Sequence, residues 1–243
     1  MINVLIWCEY VSDRDNPDAV KVYPEGIHKQ LYDFLSKVNE YNVITATLHE
    51  PDFGLSDQRL EWADVIIWWG HGAHDKVPDE VADRVVDAIH RGCGFIPLHS
   101  SHNSKPFKKL MGTVCNLRWR ADDRERIYTI APHHPIAFNV PDFFEIPNEE
   151  MYGERFDIPA PAEIIFLGWF AGGELFRSGI TYDRGFGKIF YFQPGHETCP
   201  TFMIPEVQQI IINAVSWASK KEQRSRLDSS LPNFPPEDDY KEC

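Results

Sequence analysis

The chain has 243 residues, 43% hydrophobic and 13% aromatic, enough for one large core or at most two small ones. A formal net charge of −13 disfavours a nucleic-acid partner, because such a partner needs a basic footprint to displace counterions. No apolar run reaches the ~18–20 residues of a membrane span. The five cysteines, at 8, 93, 115, 199 and 243, form no CxxC pair, which points to reduced thiols in a cytoplasmic protein.

Residues 2–8 read as a buried first strand, without the basic start or small-residue cleavage site of a secretory leader. Pro24 and Glu25 open a predicted helix, with Ile27, Leu31, Phe34, Leu35 and Val38 recurring at helical spacing. Residues 42–48 read as a second strand. Ser56 caps a short helix through Trp62, and Asp64 to Trp69 is a third strand. Pro78 suits the first turn of a helix carrying Val81, Val85, Val86 and Ile89, which Gly92 ends. Gly94 to Leu98 is a fourth strand, followed by a helix from Ser104 to Leu110. Such alternation implies right-handed crossovers and a parallel sheet with helices on both faces.

The second half is richer in strands, at residues 126–130, 143–146, 164–169, 176–182 and 188–192. Asp183 to Gly187 supplies a turn, so the last two strands form a hairpin of antiparallel additions. The mixed-charge stretch Arg118 to Arg126 reads as a solvated connection. Pro205 begins a closing helix. Residues 1–219 are expected to form a single α/β domain. The tail 220–243 is basic, then Pro-rich and acidic. Leu231 and Phe234 give it apolar groups with which to dock, ordered, on the domain or on a neighbouring subunit, which favours a homo-oligomer.

The ten histidines cluster at strand-to-helix junctions. His71 and His74 follow the third strand, His99 the fourth, and His196 the last. Loops after the C-terminal ends of parallel strands line the ligand crevice of an open α/β sheet, so these imidazoles are expected to converge on one edge. His99, in Leu98-His99-Ser100-Ser101-His102, takes the sharp turn where nucleophiles are often exposed, but without the glycines of a G-x-S-x-G elbow. An imidazole there serves as base, metal ligand or hydrogen-bond donor. Glu149 and Glu150 are adjacent in a strand-like run, so at most one faces a given cleft. No phosphate loop is present, which excludes nucleotide binding.

These residues resemble the ThuA-like (trehalose-utilisation) family over about residues 2–219. The likeness rests on Trp7-Cys8-Glu9-Tyr10, His28, the run Ala63 to His71, the run Gly92 to Ser100, and Glu149-Glu150-Met151-Tyr152. It continues through Tyr182 to Phe192, Pro194-Gly195-His196-Glu197 and the closing Ser216-Trp217-Ala218. The resemblance implies a flavodoxin-like, class I glutamine amidotransferase-like sheet. It also implies a role in carbohydrate metabolism, on trehalose-type disaccharides or their oxidised keto-sugars. His99 would occupy the turn where an amidotransferase carries its catalytic cysteine. Cys93 precedes the strand and cannot replace it, so amidotransferase activity is not expected.

The expected function is acid/base chemistry on a sugar (isomerisation, elimination or hydrolysis). The catalytic residues would be His99, His196 and Glu150; His28, His71, His74, Trp69 and Tyr152 would contact the sugar. Zinc or another divalent metal held by His99, His196 and Glu150 is a variant of this expectation. A non-catalytic sugar-binding or regulatory protein is the alternative.

Overall fold

The computed structural model describes residues 1–219. The tail 220–243, on which the docking expectation and the argument for an oligomer rest, lies outside the described residues. The strands are β1 (Ile2–Cys8), β2 (Tyr41–Thr47), β3 (Val65–Trp69), β4 (Gly94–Leu98), β5 (Arg118–Thr129), β6 (Phe143–Gly153), β7 (Glu163–Phe170), β8 (Leu175–Arg184) and β9 (Gly187–Phe192). They hydrogen-bond into one sheet of order β2-β1-β3-β4-β9-β8-β7-β5-β6. The first five in that order are parallel, and β8, β7, β5 and β6 extend the sheet antiparallel. This is the expected mostly parallel N-terminal half with antiparallel additions.

Strand alternation sends successive side chains to opposite faces. Val4 and Ile6 of β1 pack on one face against α3 (Ile27–Leu35) and α7 (Pro205–Ala218). Leu5 and Trp7 pack on the other against α4 (Asp57–Trp62), α5 (Asp79–His90) and α6 (Lys105–Met111). There Trp7 stacks on Trp68 with ring centroids 3.8 Å apart. β1, β3 and β4 are buried on both faces, which is why they read as unbroken apolar runs.

Two local differences from the sequence reading have clear causes. The helix expected from Pro24 begins at Ile27, because Gly26 has φ +84°, outside helical space. Before it lie two short helices that periodicity did not reveal, α1 (Ser12–Asp15) and α2 (Pro17–Val22). The stretch Arg118 to Arg126 is not a connection but most of β5. Its charges are paired across strands: Arg126 and Arg124 reach Glu145 of β6, at 2.9 and 3.1 Å, and Arg124 lies over Trp169 of β7. Cross-strand ion pairs let a charged sequence form a ladder that hydropathy does not suggest.

The chain passes from β1 to β2 on one side, then crosses back to β3 on the other, so the β1–β3 boundary is a topological switch point. The loops after β1, β3, β4 and β9 therefore open on the same edge of the sheet.

Candidate functional site

His99 leads β4 into a short 3-10 turn, His99–Asn103, and adopts φ +51°. A left-handed conformation at a non-glycine residue costs about 1–3 kcal/mol and persists only where its surroundings hold it. They do so here. Tyr191 Oη donates to the His99 carbonyl (3.0 Å), and the Tyr152 ring stacks on the imidazole, centroids 5.0 Å apart. The ring itself is fully buried. Its Nδ1 lies 2.9 Å from the Gln193 carbonyl, which can only accept, so Nδ1 carries a proton. Its Nε2 lies 3.0 Å from Glu150 Oε2. Burial opposes both charges, but the hydrogen bond and attraction between the two groups prevail. Glu150 is held down to about 2, and His99 is raised above its ordinary value. The pair is an imidazolium and a carboxylate, so His99 has no lone pair with which to act as a base.

His71 is held by a different carboxylate. The loop after β3 is held by Glu9, whose carboxylate accepts from Gly72 N (3.0 Å) and Ala73 N (2.9 Å). This places His71 Nδ1 2.7 and 2.9 Å from the two oxygens of Glu197. Although burial pushes Glu197 up, the hydrogen bond from His71 leaves it below the usual carboxylate range. In the tautomer with its proton on Nδ1, His71 carries a lone pair on Nε2. His196 is reversed again: Thr198 N donates to its Nδ1 (3.2 Å), which leaves the proton of the neutral ring on Nε2. Burial, then repulsion from His99, lower His196 and favour that neutral form. The His71, His99 and His196 rings meet edge to face at 5.9, 5.1 and 5.4 Å.

Glu149 and Glu150 divide as strand geometry requires. Glu150 faces the histidines. Glu149 accepts from Gly195 N (2.8 Å), His196 N (3.0 Å), Thr201 Oγ1 (2.7 Å) and Glu150 N (2.9 Å), and so fixes the turn that carries His196. Trp69 braces the same turn by donating from Nε1 to the Gly195 carbonyl (2.9 Å). Above these groups opens a cavity of about 310 Å³. His71, Glu150 and Tyr152 line it, and Asn103, Asn116 and the two-thirds-exposed Trp119 complete its wall.

The family model for trehalose utilisation, ThuA, matches residues 3–218. The chain belongs to the ThuA family. No curated protein sequence matches it. Among solved structures, a ThuA-like protein from Parabacteroides merdae is similar at 16% identity and TM-score 0.68, covering 97% of this chain and 95% of that one. A protein of Salmonella typhimurium described as cytoplasmic is similar at 12% identity and TM-score 0.65, covering 90% and 99%. A glutamine amidotransferase from Thermotoga maritima matches at 12% identity and TM-score 0.51, covering 89% and 97%. At these identities the structures show a shared amidotransferase-like α/β fold. No helix among the described residues of this ThuA protein is long and apolar enough to cross a membrane.

Within this family member, the structure brings together five of the residues singled out from sequence: His99, Glu150, His71, Tyr152 and His196. Trp69 is elsewhere, fully buried and serving the turn rather than the cavity. His74 is half-buried beside Glu9 and pushed down to about 4, first by desolvation. His28 lies apart, with Cys8 and Asp13. The set with metal-ligand spacing is His71, Glu150 and His196, whose donor atoms lie within 4.8 Å of one another. His71 thus stands where His99 was expected, because both nitrogens of His99 are already engaged. Sequence reasoning missed Glu197 as the partner of His71, Glu149 as the brace and His102 in the cavity wall. Glu197 had one visible signal, its place next to His196.

Proposed function

We propose that this ThuA family protein is an enzyme of carbohydrate utilisation that moves protons on an oxidised (keto) sugar or disaccharide. The observation that carries the reading is the setting of three neighbouring imidazoles: His71 bonded through Nδ1 to Glu197, His196 accepting at Nδ1 from Thr198 N, and His99 paired with Glu150. In this reading His71, oriented by Glu197, takes a proton from the carbon next to the sugar carbonyl. The oxygen of that carbonyl gains charge and accepts hydrogen bonds from His196 Nε2 and the Tyr152 hydroxyl, with the His99 imidazolium nearby. Return of the proton to the neighbouring carbon gives isomerisation. Loss of a substituent one carbon further on, protonated as it leaves, gives elimination. The polar cavity and Trp119 suit a polyol, with the indole offered to a sugar C–H face.

The test is deuterium exchange at the carbon next to the carbonyl, followed by NMR in heavy water with keto-trehalose as substrate. His71→Ala and Glu197→Gln should slow exchange, by about 10²–10⁴-fold for His71. Exchange at the wild-type rate in His71→Ala would sink the assignment. Binding of the sugar without exchange or product would make the protein a sugar-binding or regulatory one.

A second reading places zinc or a similar ion on His71, Glu150 and His196. Two observations favour it: the donor spacing and the Glu197–His71 hydrogen bond, the kind of outer contact that orients metal-bound histidines. The Thr198 N–H bond to His196 opposes it, since that bond keeps the facing nitrogen protonated. Metal content of untagged protein separates the two.

A further inference from the structure

A second cluster lies at the switch point, outside the cavity described above. Cys8 ends β1, Asp13 belongs to α1, and His28 is in the first turn of α3. Their donor atoms all lie within 4.8 Å of one another. Cys8 is fully buried and Asp13 is 1% exposed. Asp13 Oδ2 accepts from Ile27 N (2.9 Å) and from the Cys8 thiol (3.5 Å). Asp13 Oδ1 and His28 Nδ1 are buried with no hydrogen-bond partner among the described residues. Leaving such groups unpaired costs about 1–3 kcal/mol each. The proton-transfer reading uses none of the three residues.

We propose that Cys8, Asp13 and His28 form a binding site for a soft divalent cation of the zinc class. A thiolate and a carboxylate balance the double positive charge, so the occupied site is neutral, which a buried position requires. Sulfur together with imidazole selects zinc over magnesium or calcium. Two ligands on one tetrahedral zinc stand about 3.6 Å apart, given bond lengths of ~2.3 Å to sulfur and ~2.1 Å to oxygen or nitrogen. The Cys8 Sγ to Asp13 Oδ2 separation, 3.5 Å, already has that value. His28 needs to close by up to about 1.4 Å on the same bond lengths, within reach of a side-chain rotation. Gly26 leaves room for this ring: a Cβ there would lie 2.9 Å from His28 Nδ1 and 2.7 Å from the Tyr10 ring. A cavity of about 230 Å³ opens beside His28, lined also by Glu25, Lys29, Tyr32 and Thr45. The ion would tie the end of β1 to two helices, one residue before the Glu9 that holds the His71 loop.

Cobalt loading of the full-length untagged protein tests this. A cobalt–thiolate charge-transfer band in the near ultraviolet reports sulfur ligation, which the His71, Glu150 and His196 set cannot give. The band should persist in the His71→Ala/His196→Ala double variant and in Cys199→Ser and Cys243→Ser, and vanish in Cys8→Ser. His28→Gln should weaken cobalt affinity at least about tenfold, since even outer-shell partners of metals are worth ~10–100-fold. Cobalt binding without the band, its survival in Cys8→Ser, or no cobalt binding at all would overturn the proposal. Should Cys8→Ser fail to fold by circular dichroism, unchanged affinity in His28→Gln would overturn it alone.

Discussion

Replacing Glu150 with glutamine tests the charge state on which the site depends. Glu150 is 7% exposed and its pKa falls from an ordinary 4.5 to about 2, so its ionised form contributes about 3 kcal/mol to stability at 1.36 kcal/mol per unit. Because the folded value is depressed, that contribution is complete above pH ~4.5 and disappears as the pH falls toward 2. His99 carries the opposite sign. Its folded value is raised, so its share is complete below its ordinary 6.5 and is lost as the pH rises through the folded value. The pair is therefore most stabilising between about pH 4.5 and 6.5. Glu150→Gln should lower urea-measured stability by up to about 3 kcal/mol at pH 6, and by progressively less as the pH falls toward 2. In the same variant at pH 6 the His99 ring, charged in the wild type below its raised value, should shift toward neutral in ¹⁵N NMR. A stability difference that does not change with pH, or a wild-type His99 already neutral at pH 6, would refute the ion-pair assignment.

Other outcomes follow from single contacts. Glu149→Ala leaves four donors around one buried carboxylate without their acceptor and should cost 3 kcal/mol or more (about 1–3 per group, partly recovered by relaxation), read by chemical denaturation. Gly187→Ala should destabilise by at least about 2 kcal/mol, because its Cβ would stand 2.2 Å from the Ile89 carbonyl and 2.8 Å from that of Cys93, both main-chain atoms that cannot rotate away. Near-wild-type melting of that variant would show that the approach of α5 to β9 is looser than these distances. Trp119→Ala, at a two-thirds-exposed position, should leave stability within about 0.5 kcal/mol yet raise KM for the keto-sugar. An unchanged KM would remove the indole from sugar recognition.

The sheet was legible because its parallel strands are buried on both faces and announce themselves as apolar runs, such as Val65 to Trp69 and Gly94 to Leu98. The first part of the strand Arg118–Thr129, up to Arg126, was not, since its partners Glu145 and Trp169 come from strands 19 and 43 residues beyond Arg126. The site divides in the same way. Placement of His71, His99 and His196 follows from topology, because strand ends share an edge. Their proton states do not, because each is fixed by a group that the fold brings in from elsewhere. The Gln193 carbonyl, 94 residues away, accepts from His99 Nδ1 and so holds a proton there, and Glu197 engages His71 from 126 residues away. Thr198 is the exception: it lies two residues from His196, close enough for the local sequence to have carried the signal. These partners give three chemically identical side chains three separate roles. In the proposed mechanism the distinction between base and donor is thus a property of the assembled sheet edge, and changing a partner should exchange roles without moving a histidine.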